Sequence, residues 1–346
     1  MHENLILGVF ALLPLLLAAA LVAFFRLFRQ HRRTSRRAAR LVAGNLLVLL
    51  FIGSICLLGG EIYYRFLYDT TDSFGLTKTT KRWFARHFEK NNAGVRDSVP
   101  YRGALTPGIR RVTFLGDSFT AGHGVPNVED RFANLVRGML PDREIHIAAH
   151  PGWDTGHQIE AVEDALARGY GMDTVVLVYC LNDIADIVPE WRAILERIYK
   201  ADPPGSLVES SYLLNVWHYR LKAARDPDVS SYYKFVIDNY EGPVWERQAG
   251  RLRRMKSDLE SHGVRLLVVT FPFLHALGDE NPCREIHAKL ARFWEAEGVP
   301  HLDLLSTFDG MASDDLVVNR YDAHPNEAAH AMAAEAIAEF LRALDD

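Results

Sequence analysis

The sequence predicts an α/β domain built on a parallel sheet, preceded by a pair of membrane-spanning helices. Three observations carry this. Two long runs near the amino terminus hold no charge; after residue 110, β-branched apolar runs alternate with helical ones; and the first three of those apolar runs end in short polar blocks. Strands that alternate with helices form a parallel sheet covered on both faces, with right-handed crossovers.

The uncharged runs are residues 5–25 and 41–60. At about 1.5 Å per residue, each can cross a hydrocarbon core of about 30 Å. Buried core helices are the plainer alternative, and runs this long without charge argue against it. Between them, "RLFRQHRRTSRRAAR" (residues 26–40) carries seven arginines and no acid. A basic run can bind nucleic acid, but one set between two spans fits a cytoplasmic hairpin loop, which leaves both chain ends outside. The opening "MHEN" lacks the basic start of a signal peptide, so a retained anchor is expected. Without the seven loop arginines, 32 Lys+Arg stand against 44 Asp+Glu, a net charge of −12. That balance argues against a nucleic-acid or anionic-membrane surface on the remainder. Cys56, Cys180 and Cys283 are odd in number and form no CxxC. They signal neither a disulfide framework nor a zinc site, and leave a Cys180–Cys283 bridge open.

The domain organisation expected is a hairpin over 1–60, a connector over 61–100 and a catalytic domain over 101–346. The connector begins with "EIYYRFLY", tyrosine-rich as at a membrane interface. Strands are expected at 112–115, 145–149, 174–179, 265–271 and 301–304. Helices are expected at 129–140, 155–168, 244–262, 284–297 and 326–344. Residues 184–240 break the alternation and read as an insertion, a lid or an interaction surface.

Open parallel sheets bind ligands beyond the carboxyl ends of their strands. The first strand ends in Gly116-Asp117-Ser118, the second in "AHPGWDTG" and the third in "CLND"; "YDAHPN" precedes the last helix. The fold would thus collect Ser118, Gly152, Asn182, Asp322 and His324. A serine hydroxyl needs a base to become a nucleophile, and His324 can be that base. Asp322 can hold the imidazole in its tautomer. The backbone N–H groups of Ser118 and Gly152 and the amide of Asn182 can stabilise an oxyanion. Plainer readings exist for each residue type. Ser118 and Asp117 could merely cap a helix. A phosphate loop fails because no Gly-Lys-[Ser/Thr] follows the glycines at 116, 122 and 124. His146, His150 and His330 form no metal motif and read as structural or surface groups. Cys180 reads as a small buried residue, and Trp153 as a cleft or core aromatic.

"GDSFTAG", the Gly152 loop, "LND" and "DAHPN", in this order, resemble the SGNH (GDSL-type) hydrolases, and "NNAGVRD" is similar to the opening segment of bacterial members. The resemblance covers about residues 91–344. It implies a flavodoxin-like three-layer α/β/α sandwich that needs no metal or organic cofactor. It also implies Ser118 as nucleophile, His324 as base, Asp322 as its partner, and Ser118, Gly152 and Asn182 as the oxyanion hole. Two blocks depart from the family pattern. Cys180 replaces the glycine of Gly-x-Asn-Asp, and Tyr321 stands where Asp-x-x-His has its aspartate.

The expected function is a membrane-anchored serine esterase or acyltransferase working through an acyl-Ser118 intermediate. Its substrate would be an ester-bearing glycan or lipid, such as the O-acetyl groups of envelope or exported glycans. Its expected location is the bacterial inner membrane, with the catalytic domain extracytoplasmic. Two alternatives are a catalytically silent glycan-binding or scaffold subunit of an envelope assembly, and a lipid-directed thioesterase or lysophospholipase.

Overall fold

The computed structural model describes residues 2–30, 37–199, 204–278 and 281–344. In chain order its elements are α1 (His2–Gln30), α2 (Arg37–Ile62), α3 (Lys78–His87), β1 (Arg110–Gly116), α4 (Ser118–Ala121), α5 (Phe132–Met139), β2 (Arg143–Ala149), α6 (Thr155–Ala167), β3 (Thr174–Cys180), α7 (Pro189–Tyr199), α8 (Ser206–Ser210), α9 (Tyr212–Arg225), α10 (Pro227–Ser230), α11 (Tyr232–Asp238), α12 (Gly242–Ser261), β4 (Arg265–Phe271), α13 (Arg284–Ala296), β5 (His301–Asp303), β6 (Val317–Asn319), β7 (Asp322–Pro325) and α14 (Glu327–Ala343). Cα packing divides them into two units. One holds Met1–Asp69, Leu76–Arg82 and Asp202–Arg225; the other holds Thr70–Gly75, Trp83–Ala201 and Asp226–Asp346. These units do not follow the sequence boundaries at 60 and 100, and they split the 184–240 insertion.

In the first unit, α1 and α2 follow from the two uncharged runs. Both are long and apolar enough to cross a membrane. Leu5, Leu12, Leu16, Val42 and Leu49 stand exposed along them. Helices that are apolar all round yet unburied by protein suit a lipid solvent. The helical ends reach into the basic segment from both sides; residues 31–36 of it lie outside the described residues. At the far end of α2, Glu61 is buried. Its carboxylate accepts from Arg65 Nε (3.0 Å), Ser211 Oγ (2.7 Å) and the N–H groups of Tyr212 (3.2 Å) and Leu213 (3.0 Å). A carboxylate at the amino end of α9 meets donors that the helix cannot satisfy itself, as well as the positive end of its dipole.

In the second unit, the apolar runs pair as a five-stranded parallel sheet in the order β2-β1-β3-β4-β5. β1, β3 and β4 are buried for nearly their whole length, as strands covered on both faces must be. The step from β1 to β2 runs one way across the sheet, and every later step runs the other way. Right-handed crossovers then put α5 on one face and α6, α12 and α13 on the opposite face. After β5 the chain returns, and α14 packs against α5. This is the three-layer α/β/α arrangement expected.

Three local features differ from the sequence reading. The helix expected over 129–140 is split, because Asn127 caps a short turn through Glu129 N (3.2 Å) and Arg131 is extended. An antiparallel hairpin, β6–β7, precedes α14. The part of the insertion in this unit is helical and packed: Trp191 lies 4.6 Å from Tyr232 and 5.3 Å from Phe235, ring to ring.

Candidate active site

The register sets the site. Gly116 at the end of β1 pairs with Ala149 of β2 and Val178 of β3. The segments carrying Ser118, Gly152 and Asn182 therefore leave the sheet side by side at its carboxyl edge. Gly116 is required there. A Cβ would come within 2.2 Å of Thr120 Oγ1 and 3.1 Å of the Val178 carbonyl. Asp117 then caps α4 by accepting from Phe119 N at 2.9 Å, which makes Ser118 the first helical residue. The helix lasts one turn and stops at Gly122, where φ is +73°.

β7 brings up the other partners. Residues two apart on a strand project to the same face. That explains how an aspartate two before the histidine reaches its ring although the family pattern has it three before. Asp322 Oδ1 accepts from His324 Nδ1 and, at 3.1 Å, from His324 N. His324 Nε2 lies 2.8 Å from Ser118 Oγ. With Nδ1–H committed to the carboxylate, Nε2 is left as the acceptor for the hydroxyl proton. Burial alone would raise the Asp322 carboxyl, but the imidazoles of His324 and His123 hold it well below the usual carboxylate range. Burial also opposes charge on His324, yet Asp322 beside it raises its pKa above the ordinary 6.5.

Among the described residues, the amides of Ser118 and Gly152 donate to no backbone carbonyl, and Gly152 has a φ of +84°. Asn182 stands on the turn after β3, its Oδ1 buried and without a partner among the described residues. Asp183 beside it accepts from Gln158 Nε2 (2.9 Å) and Cys180 N (3.2 Å). Burial, and then Asp117, push the Asp183 pKa well up; burial pushes Asp117 up to about 6. Cys180, in place of the family's glycine, is wholly buried with its thiol pKa raised by burial. All three cysteines are free thiols.

The other histidines singled out in the sequence have other partners. The His146 ring stacks on Tyr101 at 4.0 Å, and His330 Nδ1 accepts from Phe132 N at 3.2 Å. His150 is exposed, and Trp153 packs partly buried against the core. Arg96, from "NNAGVRD", threads the loop after α4 and donates to the carbonyls of Gly122 (2.6 Å), Val125 (2.6 Å), Ala121 (3.3 Å) and Pro126 (3.1 Å).

Sequence reasoning missed His123. It is buried between Gly122 and Gly124, and its ring stacks on His324 at 4.0 Å with 9° between the planes. Its only sequence signal is its place in the loop after the serine. The potential ligand atoms of His123, Asp322 and His324 lie within 4.8 Å of one another, close enough to suggest a metal. Stacked rings, however, direct their lone pairs along nearly parallel planes. Zinc needs nitrogens that converge at about 2.0–2.1 Å. The donor geometry therefore does not fit a metal ion.

A family model described as the GDSL-like Lipase/Acylhydrolase family matches residues 114–332. The chain belongs to this family. It is an SGNH-type enzyme acting on ester bonds, and the matched span runs from β1 into α14, across every block of the site. The scaffold alternative gives way to that finding. Among solved structures, the chain is similar to a G-D-S-L lipolytic protein from Desulfitobacterium hafniense (13% identity, 66% of this chain and 98% of that one, TM-score 0.40). It is also similar to an extracellular lipase from Streptomyces rimosus (15%, 66% and 99%, TM-score 0.39) and to a catalytic mutant of an acetylxylan esterase from Geobacillus stearothermophilus (14%, 68% and 96%, TM-score 0.42). Comparison with curated proteins finds no match.

Proposed function

We propose that this enzyme is a membrane-anchored serine esterase or acyltransferase that works through an acyl-Ser118 intermediate on ester-linked acyl groups of envelope or exported glycans. The observation that carries the catalytic part is the 2.8 Å approach of His324 Nε2 to Ser118 Oγ, with Nδ1 tied to Asp322. His324 takes the serine proton as Oγ bonds to the ester carbonyl carbon. The oxyanion is met by Ser118 N–H, Gly152 N–H and Asn182 Nδ2. The imidazolium, stabilised by Asp322, gives its proton to the departing alcohol and leaves the acyl-enzyme. Water, or a sugar hydroxyl in transfer, gives its proton to His324 and attacks that acyl group; the imidazolium then returns the proton to Ser118 Oγ as the Oγ–acyl bond breaks, restoring the free serine. The topology of the proposal has separate support. Two spans joined by an arginine-rich segment favour a cytoplasmic loop, and so an extracytoplasmic enzyme facing envelope polymers.

The test uses the full chain in detergent, with a fluorophosphonate probe, p-nitrophenyl acetate and an O-acetylated polysaccharide. Wild type should label, turn over the ester and release acetate. Ser118→Ala should lose all three, and His324→Ala should lose about 10³-fold or more in kcat. Labelling that survives in Ser118→Ala would sink the proposed nucleophile. A reporter fused after Asp346 that works in the cytoplasm would overturn the topology and with it the glycan substrate.

A further inference from the structure

Asp322 spends only one of its oxygens on His324. Oδ1 takes both hydrogen bonds from that residue, and Oδ2 takes none. A buried carboxylate oxygen without a donor is costly, so its surroundings matter. The polar atom facing it is His123 Nε2, 3.2 Å away and buried. The approach is bent from the ideal hydrogen-bond line, so neither atom counts as hydrogen-bonded among the described residues. Other contacts hold the His123 ring in place. One ring contact is the His324 stack; Trp83 lies nearly parallel at 6.2 Å (18°), and the edge of Phe84 meets it at 5.1 Å. The main chain on either side is pinned through Arg96, which binds the carbonyls of Gly122 and Val125.

We propose that His123 is a positioning residue for the reaction, a neutral imidazole whose Nε2–H closes the second side of Asp322 and fixes the plane in which Oδ1 meets His324. This rests on the reading of Ser118, His324 and Asp322 given above. Neutrality follows from the stack. His324 becomes an imidazolium during each acyl transfer, and a second cation 4.0 Å away would oppose that charge. The groups facing His123 are Asp322, His324, Trp83 and Phe84, with the Arg96 guanidinium near by. Burial, then His324, lower its pKa against the upward pull of Asp322. A neutral donor on Oδ2 disperses the carboxylate charge without competing for the proton on His324.

The experiment measures kcat and KM for p-nitrophenyl acetate from pH 5 to 9 on the full chain in detergent. His123→Phe keeps an aromatic ring in the stack and removes the donor. His123→Gln places an amide N–H near the Nε2 position and removes the stack. The Phe variant should lose about 10–100-fold in kcat with KM within about twofold, the size of loss that small misplacement produces. Its acid limb should move to higher pH, because an undispersed Asp322 holds the proton on His324 more tightly. The Gln variant should recover most of the lost kcat and restore the limb. If His123→Phe fails to fold, His123→Asn replaces it: the same amide one methylene shorter, which falls short of Asp322. Wild-type kcat and limb in the Phe variant would overturn the proposal. So would equal losses in Phe and Gln with an unmoved limb, the outcome of a packing role. Ser118→Ala, run alongside, separates the two ideas. If it remains active, the nucleophile reading fails; if it is dead while both His123 variants behave as wild type, only the His123 proposal fails.

Discussion

Glu61 and Asp322 are buried carboxylates, one in each compact unit, and they are satisfied to very different degrees. Glu61 receives Arg65, a serine hydroxyl and two helix-end N–H groups, shared over both oxygens. Asp322 receives two bonds on one oxygen and a bent approach on the other. Asp183 shows the same economy, with Oδ1 buried and unpartnered. A carboxylate surrounded by fixed donors is a structural fastener, because each donor deepens one geometry. Asp322, with one oxygen committed to His324 and the other met only by a bent, neutral donor, keeps most of its field for a neighbour whose charge changes during a reaction. In this pair, the sparsely supplied carboxylate sits beside Ser118 and His324, and the fully supplied one sits at the joint between α2 and α9.

The comparison breaks most sharply at Asp322 itself. Asp322→Asn should keep the fold and lower kcat by about 10⁴-fold, the size seen when a triad acid is neutralised and the histidine tautomer goes wrong. The acid limb gives the sign. His324 must be neutral to accept the serine proton, so activity rises with pH through its pKa, which lies above 6.5 because of Asp322. Removing that charge should move the limb to lower pH, opposite to His123→Phe. Steady-state pH profiles of the two variants check both directions. Next in size is Asn182→Ala, expected to lower kcat by about 10²–10³-fold with little change in KM, as for loss of one oxyanion donor. A large rise in KM at unchanged kcat would instead make Asn182 a substrate-binding group.

Much of this was legible in the sequence for a physical reason. Strands buried on both faces must be nearly all apolar, so "TVVLVY" and "RLLVVTF" announce β3 and β4 without help from neighbours. Polar blocks at their carboxyl ends then had only one edge of the sheet to occupy. What stayed hidden depends on contacts between distant residues. β6 and β7 are three and four residues long, too short for a period to appear. That hid the strand geometry that lets Asp322 and His324 share a face. Arg96 has no pattern of its own; its purpose shows only in carbonyls 25–30 residues away. Nothing in the composition of "YLLNVWHYRLKAAR" says that it groups with the first unit rather than with the sheet. Amphipathicity tells that a helix packs, but not upon what.

The joint can be tested by the opposite substitution. Glu61→Gln keeps the size, one acceptor and the packing, and removes the charge that Arg65 and the start of α9 share. It should cost about 1–3 kcal/mol of stability, the range for leaving buried partners short of a charged acceptor, while kcat on a soluble ester stays unchanged. Thermal unfolding in detergent and the ester assay report the two halves. A loss of kcat with intact stability would mean that Glu61 is no mere fastener and would undo the contrast with Asp322.

The smallest effect probes a buried titratable group whose charged neighbours are all cationic among the described residues. His330 is fully buried, accepts Phe132 N–H on Nδ1, and has no partner on Nε2 among the described residues. Burial first, then the positive charges of Arg131 and Arg96, lower its pKa to about 3. The folded protein therefore keeps His330 neutral while the unfolded chain takes up a proton near its ordinary 6.5. Stability from this group is present above 6.5 and is lost as pH falls, because the unfolded state then binds the extra proton. Between pH 6.5 and 5.5 the loss is about 1 kcal/mol. His330→Asn retains an acceptor near the Nδ1 position and cannot titrate. The drop in Tm between those two pH values should therefore be about 2–4 °C smaller in the variant than in wild type. His146, His275 and His301, also pushed down to about 4 by burial, and His123, lowered by burial, add to the slope that remains. An unchanged slope would mean that His330 gains its proton inside the fold, which would require a counter-charge at the position where Asp322 serves His324.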